Sequence, residues 1–242
     1  MKKMLYFKGC VVREKLPGVA QATEKILKKA GVDYTLLGNE SCCGSFLMRT
    51  GFKDEAEEVM KNNLQDILAA NEKTILVSCS GCYNTLKNDY KALFDVELDV
   101  IHTSELVKEL LVKNKIHVNS TEKTVTYHDP CHLGRHSGIY EEPRDAIKAS
   151  ADLVEMKRNR ERSRCCGAGS GVKSAFPELA LEVGCRRIQD AEEVGADILV
   201  TTCSFCILNL ENALEKTKNQ GENGSVERVM DLTELILMGM EK

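Results

Sequence analysis

Cysteine is the residue that most constrains this chain, because ten of its eleven cysteines fall into two sets of the same form. Each set starts with one cysteine, continues after 31 or 33 residues with Cys-Cys-Gly, and ends with Cys-x-x-Cys. The first set is Cys10, Cys42, Cys43, Cys79 and Cys82, and the second is Cys131, Cys165, Cys166, Cys203 and Cys206. An internal repeat of about 120 residues predicts two structurally similar units.

The number of cysteines also limits the chemistry. Disulfide-stabilised secreted proteins are usually much shorter, and the apolar stretch of MKKMLYFKGC is interrupted at Lys8, too early for a secretory signal. We therefore expect a cytoplasmic protein with reduced thiols, which in this number indicate metal binding or redox chemistry. The net charge of −4 disfavours nucleic acid as a partner. No apolar run approaches the roughly 20 residues of a membrane span.

Segments typical of strands precede the cysteine groups at equivalent points of the two halves. They are MLYF and TVTYHD, YTLLG and DLVEM, TILVS and DILVTT. Helical apolar spacing marks VAQATEKILKKAG, KDEAEEVMKNNLQDILAA and PELALEVGCRRIQDAEEVG. Each half then ends with a strand and a helix, whose predicted N-caps are Thr103 or Ser104 and Asp231 or Thr233. This alternation predicts an α/β fold with mainly parallel sheets.

The polar stretch KNKIHVNSTEK, residues 113–123, is the predicted linker between the halves. It places a first cysteine-rich lobe at 1–118 and a second at 124–242. In open parallel sheets, sites form beyond the carboxyl ends of the strands. All the cysteine groups follow strands or lie in strand-to-helix loops, so we expect each half to bring its own five thiols together. The glycine after each Cys-Cys pair permits a positive φ or a close backbone approach.

Five thiolates in a set exceed the four ligands of a tetrahedral structural zinc. Adjacent cysteines suit a single small ion poorly, because their side chains diverge, whereas an iron–sulfur cluster offers several coordination points. The compact C-x-x-C-x-x-C run typical of four-iron cubes is absent. The spacing therefore favours an iron–sulfur assembly of unusual shape. A zinc-stabilised scaffold is the alternative, and disulfides are disfavoured.

At these residues the chain resembles the twin CCG cysteine-rich domains of heterodisulfide reductase, of the B/D type. FKGCVVREKLPGV, SCCGS and SCSGC are similar to the first repeat of that family. YHDPCHLGRHSGIYEEPR, residues 127–144, RCCGAG and TCSFC are similar to the second repeat. The resemblance spans nearly the whole chain. The same domains occur in lactate-utilisation proteins, anaerobic glycerol-3-phosphate dehydrogenase and thiol:fumarate reductase.

The resemblance implies two Rossmann-like lobes related by pseudo-twofold symmetry, and a non-cubane 4Fe-4S cluster held by the five cysteines of each set. It implies an oxidoreductase acting on sulfur groups, the catalytic subunit that reduces a mixed disulfide of the coenzyme M and coenzyme B type. Each cluster would give one electron. We expect no flavin or NAD in this chain, because G-x-G-x-x-G after a strand is missing. The expected partners are a ferredoxin-like iron–sulfur subunit and a flavin-containing subunit.

A second hypothesis belongs to another functional class. The chain would then be a non-catalytic electron-transfer subunit between a flavoprotein dehydrogenase and a quinone or other acceptor, as in lactate- or glycerol-3-phosphate-dehydrogenase complexes. A cleft between the lobes that ends at both cysteine sets would favour catalysis. Cysteine sets buried away from any cleft would favour electron relay.

Other reactive side chains surround these motifs. His128, His132 and His136 flank Cys131, and we consider them as proton donors or as hydrogen-bond donors to cluster sulfur, beside a purely structural role. The basic run KRNRERSR at 157–164 fits either a solvated loop or an anion-binding or docking surface. Cys185 lies outside the repeat and shares a helical face with apolar neighbours, which predicts a buried structural thiol.

Overall fold

The computed structural model describes residues 3–219, 221 and 224–242. Residues 1 and 2, at the start of the first predicted lobe, and 220, 222 and 223 in the second lie outside the described residues. The strands are β1 (Met4–Phe7), β2 (Tyr34–Thr35), β3 (Thr74–Val77), β4 (Asp99–His102), β5 (Thr124–Tyr127), β6 (Asp152–Leu153), β7 (Ile198–Thr201) and β8 (Arg228–Asp231). The helices of the first half are α1 (Cys10–Lys15), α2 (Pro17–Lys29), α3 (Ser45–Thr50), α4 (Lys53–Ala69), α5 (Ser80–Asn84), α6 (Tyr90–Phe94) and α7 (Thr103–Val112). Those of the second half are α8 (Glu141–Lys148), α9 (Val172–Ala175), α10 (Pro177–Glu192), α11 (Ser204–Asn219) and α12 (Leu232–Met240).

Two four-stranded sheets form the centre of the fold, and all their strands are parallel. Their orders are β2-β1-β3-β4 and β6-β5-β7-β8, the same order in each half. The strands of a parallel sheet are buried on both faces by helices, and every residue of β1 and β7 is buried. The predicted α/β class with parallel sheets is thereby confirmed.

The two halves are tied together by more than the chain connection. Helix α12 packs against α2, and α7 packs against α8, so the last helix of each half lies against the other half. One apolar core contains both Tyr6 of the first sheet and Tyr127 of the second. The predicted linker is fixed as well, because Ile116 is buried and the Asn119 N–H donates to the carbonyl of Gly239 at 3.0 Å. The limits of the two lobes, 1–118 and 124–242, stay a prediction.

The two closing helices begin with capping boxes. Asp231 accepts the Thr233 N–H and Glu234 accepts the Asp231 N–H, so Asp231 caps α12 as the sequence predicts. The prediction for α7 is wrong, because the cap is His102, whose ring Nδ1 accepts the Ser104 N–H at 3.1 Å. Thr103 and Ser104 are instead the first residues of the helix.

The helix after the first Cys-x-x-Cys is not regular. A π-helical turn, Thr85–Asp89, joins α5 to α6, while the corresponding α11 is one continuous α-helix over its described residues. Such turns accompany functional sites in many helices. No helix among the described residues has the length and apolar character required to cross a membrane.

Candidate metal centres

The structure brings all ten repeat cysteines to the carboxyl ends of the two sheets. Cys10 begins α1 just beyond β1, and Cys79 precedes α5 just beyond β3. Cys131 and Cys203 occupy the same places beyond β5 and β7. The Cys-Cys-Gly segments lie in the loops that follow β2 and β6. Each half therefore gathers its five thiols from three neighbouring loops, as expected from strand order.

The first set surrounds a small cavity of about 30 Å³, whose lining includes all five of its cysteines. Cys43, Cys79 and Cys82 are buried, while Cys10 and Cys42 are half-buried. The thiols touch one another, with 3.6 Å between the sulfur atoms of Cys10 and Cys42. No cysteine of the second set lines this cavity among the described residues.

The thiols of the first set share negative charge unequally. Hydrogen bonds with Cys10 and Cys43 lower the pKa of Cys42 to about 3. The Cys42 hydrogen bond raises the pKa of Cys10 well above its usual value. Sulfur atoms held this close repel each other when all are ionised, unless positive charge lies between them. The donor set therefore fits a multinuclear metal group, which would let every thiol bind as a thiolate.

The second set lines a larger cavity of about 310 Å³, and again all five cysteines of the set take part. This cavity is a cleft between the halves, because Ser45, Phe46 and Arg49 of the first half form part of its wall. Its volume falls within the range typical of small-molecule sites. Cys165 is exposed, and the other four are half-buried or buried. We call this cavity the interlobe cleft.

The two sets meet at the centre of the molecule. Cys79 and Cys203 are hydrogen-bond partners, and this contact, with that of Cys82, lowers the pKa of Cys79 well below its usual value. The Ser204 hydroxyl also donates to the Cys79 sulfur at 3.2 Å. Phe46 and Phe205 line both the first cavity and the interlobe cleft. The two candidate centres are thus adjacent and share a wall of aromatic side chains.

Glycine and asparagine hold the two Cys-Cys-Gly loops. Gly44 and Gly167 both take a positive φ, 85° and 94°, as predicted from their position after the cysteine pair. The Asn63 side chain of α4 donates to the Cys42 carbonyl at 2.6 Å. Asn209 of α11 donates to the Cys166 carbonyl, also at 2.6 Å. No local sequence signal marks the two asparagines, since their partners lie 21 and 43 residues away.

Buried acidic groups fix the loops that carry Cys10 and Cys131. Glu40 accepts the backbone N–H groups of Lys8 and Gly9 at 2.8 and 2.9 Å. In the second half, the Asp129 carboxylate accepts hydrogen bonds from both terminal nitrogens of the fully buried Arg144, at 2.6 and 3.0 Å. A bidentate charged pair of this kind defines position more strictly than a single hydrogen bond.

The three histidines lie in different surroundings. His132 lines the interlobe cleft, and burial, with the nearby charge of Arg49, lowers its pKa. His136 is exposed, with its ring 5.2 Å from that of His132. His128 is buried and is absent from the described lining of both cavities, and a nitrogen of its ring lies within 4.8 Å of the Cys166 sulfur. Only His132 is therefore placed to meet a molecule in the cleft, and a catalytic role for any of the three stays a prediction.

Two of the five basic residues in the run 157–164 form ion pairs. Arg160 pairs with Glu141 and Glu155, and Arg164 pairs with Asp190. These contacts agree with a structural role for this part of the run. Cys185 lies on α10 beside α11, half-buried rather than fully buried, with 3.8 Å between its sulfur and the Ala213 carbonyl oxygen.

The cysteine pattern and its geometry agree with a known protein family. A family model for the CCG cysteine-rich domain matches the chain twice, over residues 4–87 and 125–211. The chain belongs to the CCG cysteine-rich domain family. Each match contains one complete set of five cysteines.

Several relatives are named as oxidoreductases or as their subunits. The chain is 43% identical over 224 residues to one subunit of the dihydromethanophenazine:CoB–CoM heterodisulfide reductase of Methanosarcina acetivorans, with 89% of this chain and 55% of that protein covered. It is 34% identical to one subunit of the fumarate reductase (CoM/CoB) of Methanothermobacter marburgensis, with 96% and 45% covered. It is 30% identical to the EtfAB:quinone oxidoreductase of Syntrophomonas wolfei, with 98% and 34% covered. The chain spans about half the length, or less, of these relatives.

Proposed function

We propose that this chain is the iron–sulfur catalytic subunit of a heterodisulfide-reductase-type enzyme, reducing a mixed disulfide of the CoM-S-S-CoB type. The observation that carries the proposal is the pair of adjacent cavities, each lined by one complete set of five cysteines. The similarity to a polypeptide of the Methanosarcina heterodisulfide reductase supports the same substrate class.

Each set would hold one non-cubane 4Fe-4S cluster. The cysteines of the first set would be ligands of one cluster, and those of the second set would be ligands of the other. Five thiols that line one small cavity, with no lysine or arginine among the described residues of its lining, fit a cationic iron group. When bound, the clusters would supply the two electrons that break a sulfur–sulfur bond.

The residues of the interlobe cleft would bind and orient the substrate. Phe46, Val172 and Phe205 give the cleft an apolar wall that excludes water from the disulfide. Cleavage of R–S–S–R′ consumes two electrons and two protons and releases RSH and R′SH. His132 is the one of the three histidines that lines the cleft, which supports a role in passing a proton to a departing sulfur.

The electrons would come from other subunits. The chain shows no nucleotide-binding fingerprint, so we propose a ferredoxin-like iron–sulfur subunit and a flavin-containing subunit as partners. The relatives support a multi-subunit assembly, since two of them are named as subunits of reductases.

Metal analysis tests the proposal directly. Protein purified without oxygen should contain about eight irons and about eight sulfides per chain, because two four-iron clusters would be present. Cys43→Ser and Cys166→Ser should each lose about half of the iron, since the two residues line separate cavities. Cys185→Ser is the matched control, and it should keep the full iron content because it lies outside both cavities.

Other metal contents would contradict parts of the proposal. Two zinc ions with little iron would reject redox chemistry and support the zinc-stabilised scaffold. Four irons with one zinc would mean that the two sets have diverged.

A second candidate function has its own support in the EtfAB:quinone oxidoreductase relative. In that case the chain would relay electrons between a flavoprotein and a quinone without binding a disulfide. Among the described residues the interlobe cleft is lined by the second set and by no cysteine of the first, so it meets the criterion for catalysis at one centre. A cavity of small-molecule size at that centre favours the reductase, because a pure relay needs none.

A further inference from the structure

We infer that Arg187 and His128 form a buried hydrogen-bond relay to the Cys166 sulfur, and that this relay gives the second cluster a higher reduction potential than the first. The inference rests on the proposed function, because it presumes a cluster at each cysteine set. The inference also predicts the order of electron transfer: the second centre is reduced before the first.

The relay is a fixed and enclosed structure. Arg187 is fully buried, and its Nε donates to the Nδ1 of His128 at 3.1 Å. Its other nitrogens donate to the Arg158 carbonyl at 2.9 Å, to Asp190 at 3.1 Å and to the Ser163 hydroxyl at 3.3 Å. Four hydrogen bonds from one guanidinium leave it little freedom to move.

This contact determines which nitrogen of His128 carries a proton. A guanidinium has only donors, so Nδ1 of His128 must be the acceptor. In the neutral ring the proton then lies on Nε2. A nitrogen of the His128 ring lies within 4.8 Å of the Cys166 and Cys206 sulfurs. Since Nδ1 is engaged by Arg187, the relay we infer uses Nε2–H as the donor to the Cys166 sulfur.

The first half has no such relay among its described residues. Counted from the first residue of each helix, Asn63 of α4 holds the position that Arg187 holds in α10. Asn63 accepts the Ser41 N–H at 3.2 Å and donates to the Cys42 carbonyl, so it fixes backbone and carries no charge. The two sets therefore match in their cysteines and differ in what lies behind them.

The difference has a direct electrochemical consequence. A hydrogen bond to a ligating sulfur, and a cation behind it, stabilise the more negative reduced form of a cluster, which raises its potential. The second set would have both features through His128 and Arg187, whereas the hydrogen bond that the Ser204 hydroxyl donates to Cys79 of the first set, at 3.2 Å, comes from a neutral donor. It is also the set that opens onto the interlobe cleft. The centre nearest the substrate would thus be the better electron acceptor of the two.

Redox titration followed by electron paramagnetic resonance tests the relay. The Cys43→Ser background isolates the second cluster, and the Cys166→Ser background isolates the first. In the Cys43→Ser background, Arg187→Met and His128→Leu should each lower the equilibrium constant for reduction of the second cluster by about tenfold. This corresponds to a reduction potential that is lower by about 59 mV for one electron. In the Cys166→Ser background, Arg187→Met should leave the reduction potential of the first cluster unchanged.

Two further variants distinguish the effect of the relay on the potential from a general effect of charge and from a folding defect. His128→Gln should stay close to the parent potential, because its amide offers an acceptor to Arg187 and a donor to Cys166. Arg186→Met removes the same charge from an exposed neighbour on the same helix, where it pairs with Glu182, and should have no effect. Should Arg187→Met fail to fold, the contrast between His128→Leu and His128→Gln carries the test.

The possible contrary results are distinct. Unchanged potentials in Arg187→Met and His128→Leu, with iron intact, would overturn the relay and leave the proposed function standing. An equal shift in Arg186→Met would also overturn it, in favour of a general charge effect. Loss of iron in both His128 variants would make His128 a ligand instead. Absence of iron from the unaltered chain would refute the proposed function itself.

Discussion

Arg49 brings positive charge to a cleft lined mainly by cysteine, glycine and apolar residues. Among the described residues that line the cleft it is the one arginine or lysine, and 23% of its side chain is exposed. Its Nη1 pairs with Asp89 at 2.8 Å, which leaves Nε and Nη2 of the guanidinium available to a ligand. A disulfide with a carboxylate, phosphate or sulfonate group would find its counter-charge at this end of the cleft.

Arg49→Met should therefore weaken substrate binding. We expect KM for an anionic disulfide to rise by about tenfold with kcat little changed, because a charge-assisted hydrogen bond contributes about 1.5–3 kcal/mol. Steady-state kinetics with an artificial electron donor measures this. Arg162→Met, an exposed arginine outside the described cleft lining, is the control. Equal KM values for the two variants would show that Arg49 does not contact the substrate.

Gly167 makes the second Cys-Cys-Gly loop intolerant of a side chain. Its φ is 94°, and a Cβ atom would lie 2.4 Å from the Ala180 carbonyl oxygen. Gly167→Ala should lose about half of the iron and destabilise the fold by about 1–3 kcal/mol, because the loop must move away from α10. Iron analysis and thermal unfolding measure both effects.

Gly169 in the same loop provides the control for this prediction. A Cβ atom there meets nothing within 4 Å, so Gly169→Ala should keep its iron and its stability. Similar behaviour of the two alanine variants would mean that backbone conformation does not control assembly of the second site.

Asp231, the N-cap of α12, should make the stability of the fold depend on pH. Burial raises its pKa to about 7, and its Oδ2 has no hydrogen-bond partner. A carboxyl group with a raised pKa binds its proton more tightly in the folded state, so the fold loses stability as the pH rises towards that value. The loss is about 1.4 kcal/mol per pH unit between the unfolded and folded pKa values.

Asp231→Asn should remove this dependence while keeping the helix cap, since asparagine caps as well as aspartate. Between about pH 5.5 and 7, the free energy of unfolding of the parent should fall by about 2 kcal/mol relative to the variant. Denaturant unfolding of the oxygen-free protein at both pH values measures this. Parallel pH profiles of the two proteins would show that Asp231 remains ionised in the fold.

The secondary structure was predictable wherever the pattern was local. The apolar runs TILVS and DILVTT became β3 and β7, and α4 and α10 follow their apolar spacing. The cap of α7 was not predictable in the same way. A histidine ring can accept a backbone N–H only in the tautomer that leaves the accepting nitrogen without a proton, and the sequence does not show which tautomer forms. His102 takes that tautomer in a buried site, where its Nε2 reaches the Thr202 carbonyl at 3.1 Å.

At the scale of the whole molecule, hydrogen bonds join the two cysteine sets. The Thr202 carbonyl, next to Cys203, also accepts from the Ser80 hydroxyl at 2.6 Å. Ser80 in turn follows Cys79, so the two Cys-x-x-Cys segments are held against each other directly. A rigid contact between the centres is what joint action on one substrate requires.

The sequence identified the ten thiols and their convergence, because strand order alone brings the loops of a parallel sheet to one edge. It could not identify Arg49 or Arg187, since neither belongs to a motif. Arg187 lies 59 residues from its partner His128 in the chain. Contacts between distant segments depend on how the halves pack, and α12 crossing to α2 shows that each half completes the other.

The most direct test of joint action is a thiol-dependent paramagnetic signal. The oxidised protein is mixed with one small thiol, and its spectrum is compared with that after the matching alcohol, which lacks the sulfur. We predict a new signal with the thiol alone, because the thiol would bind one centre of an oxidised pair. We also predict that Cys43→Ser and Cys166→Ser each abolish disulfide turnover, with the double variant little worse than either. If no small thiol or disulfide perturbs either centre, direct cleavage is wrong and the chain is an electron carrier.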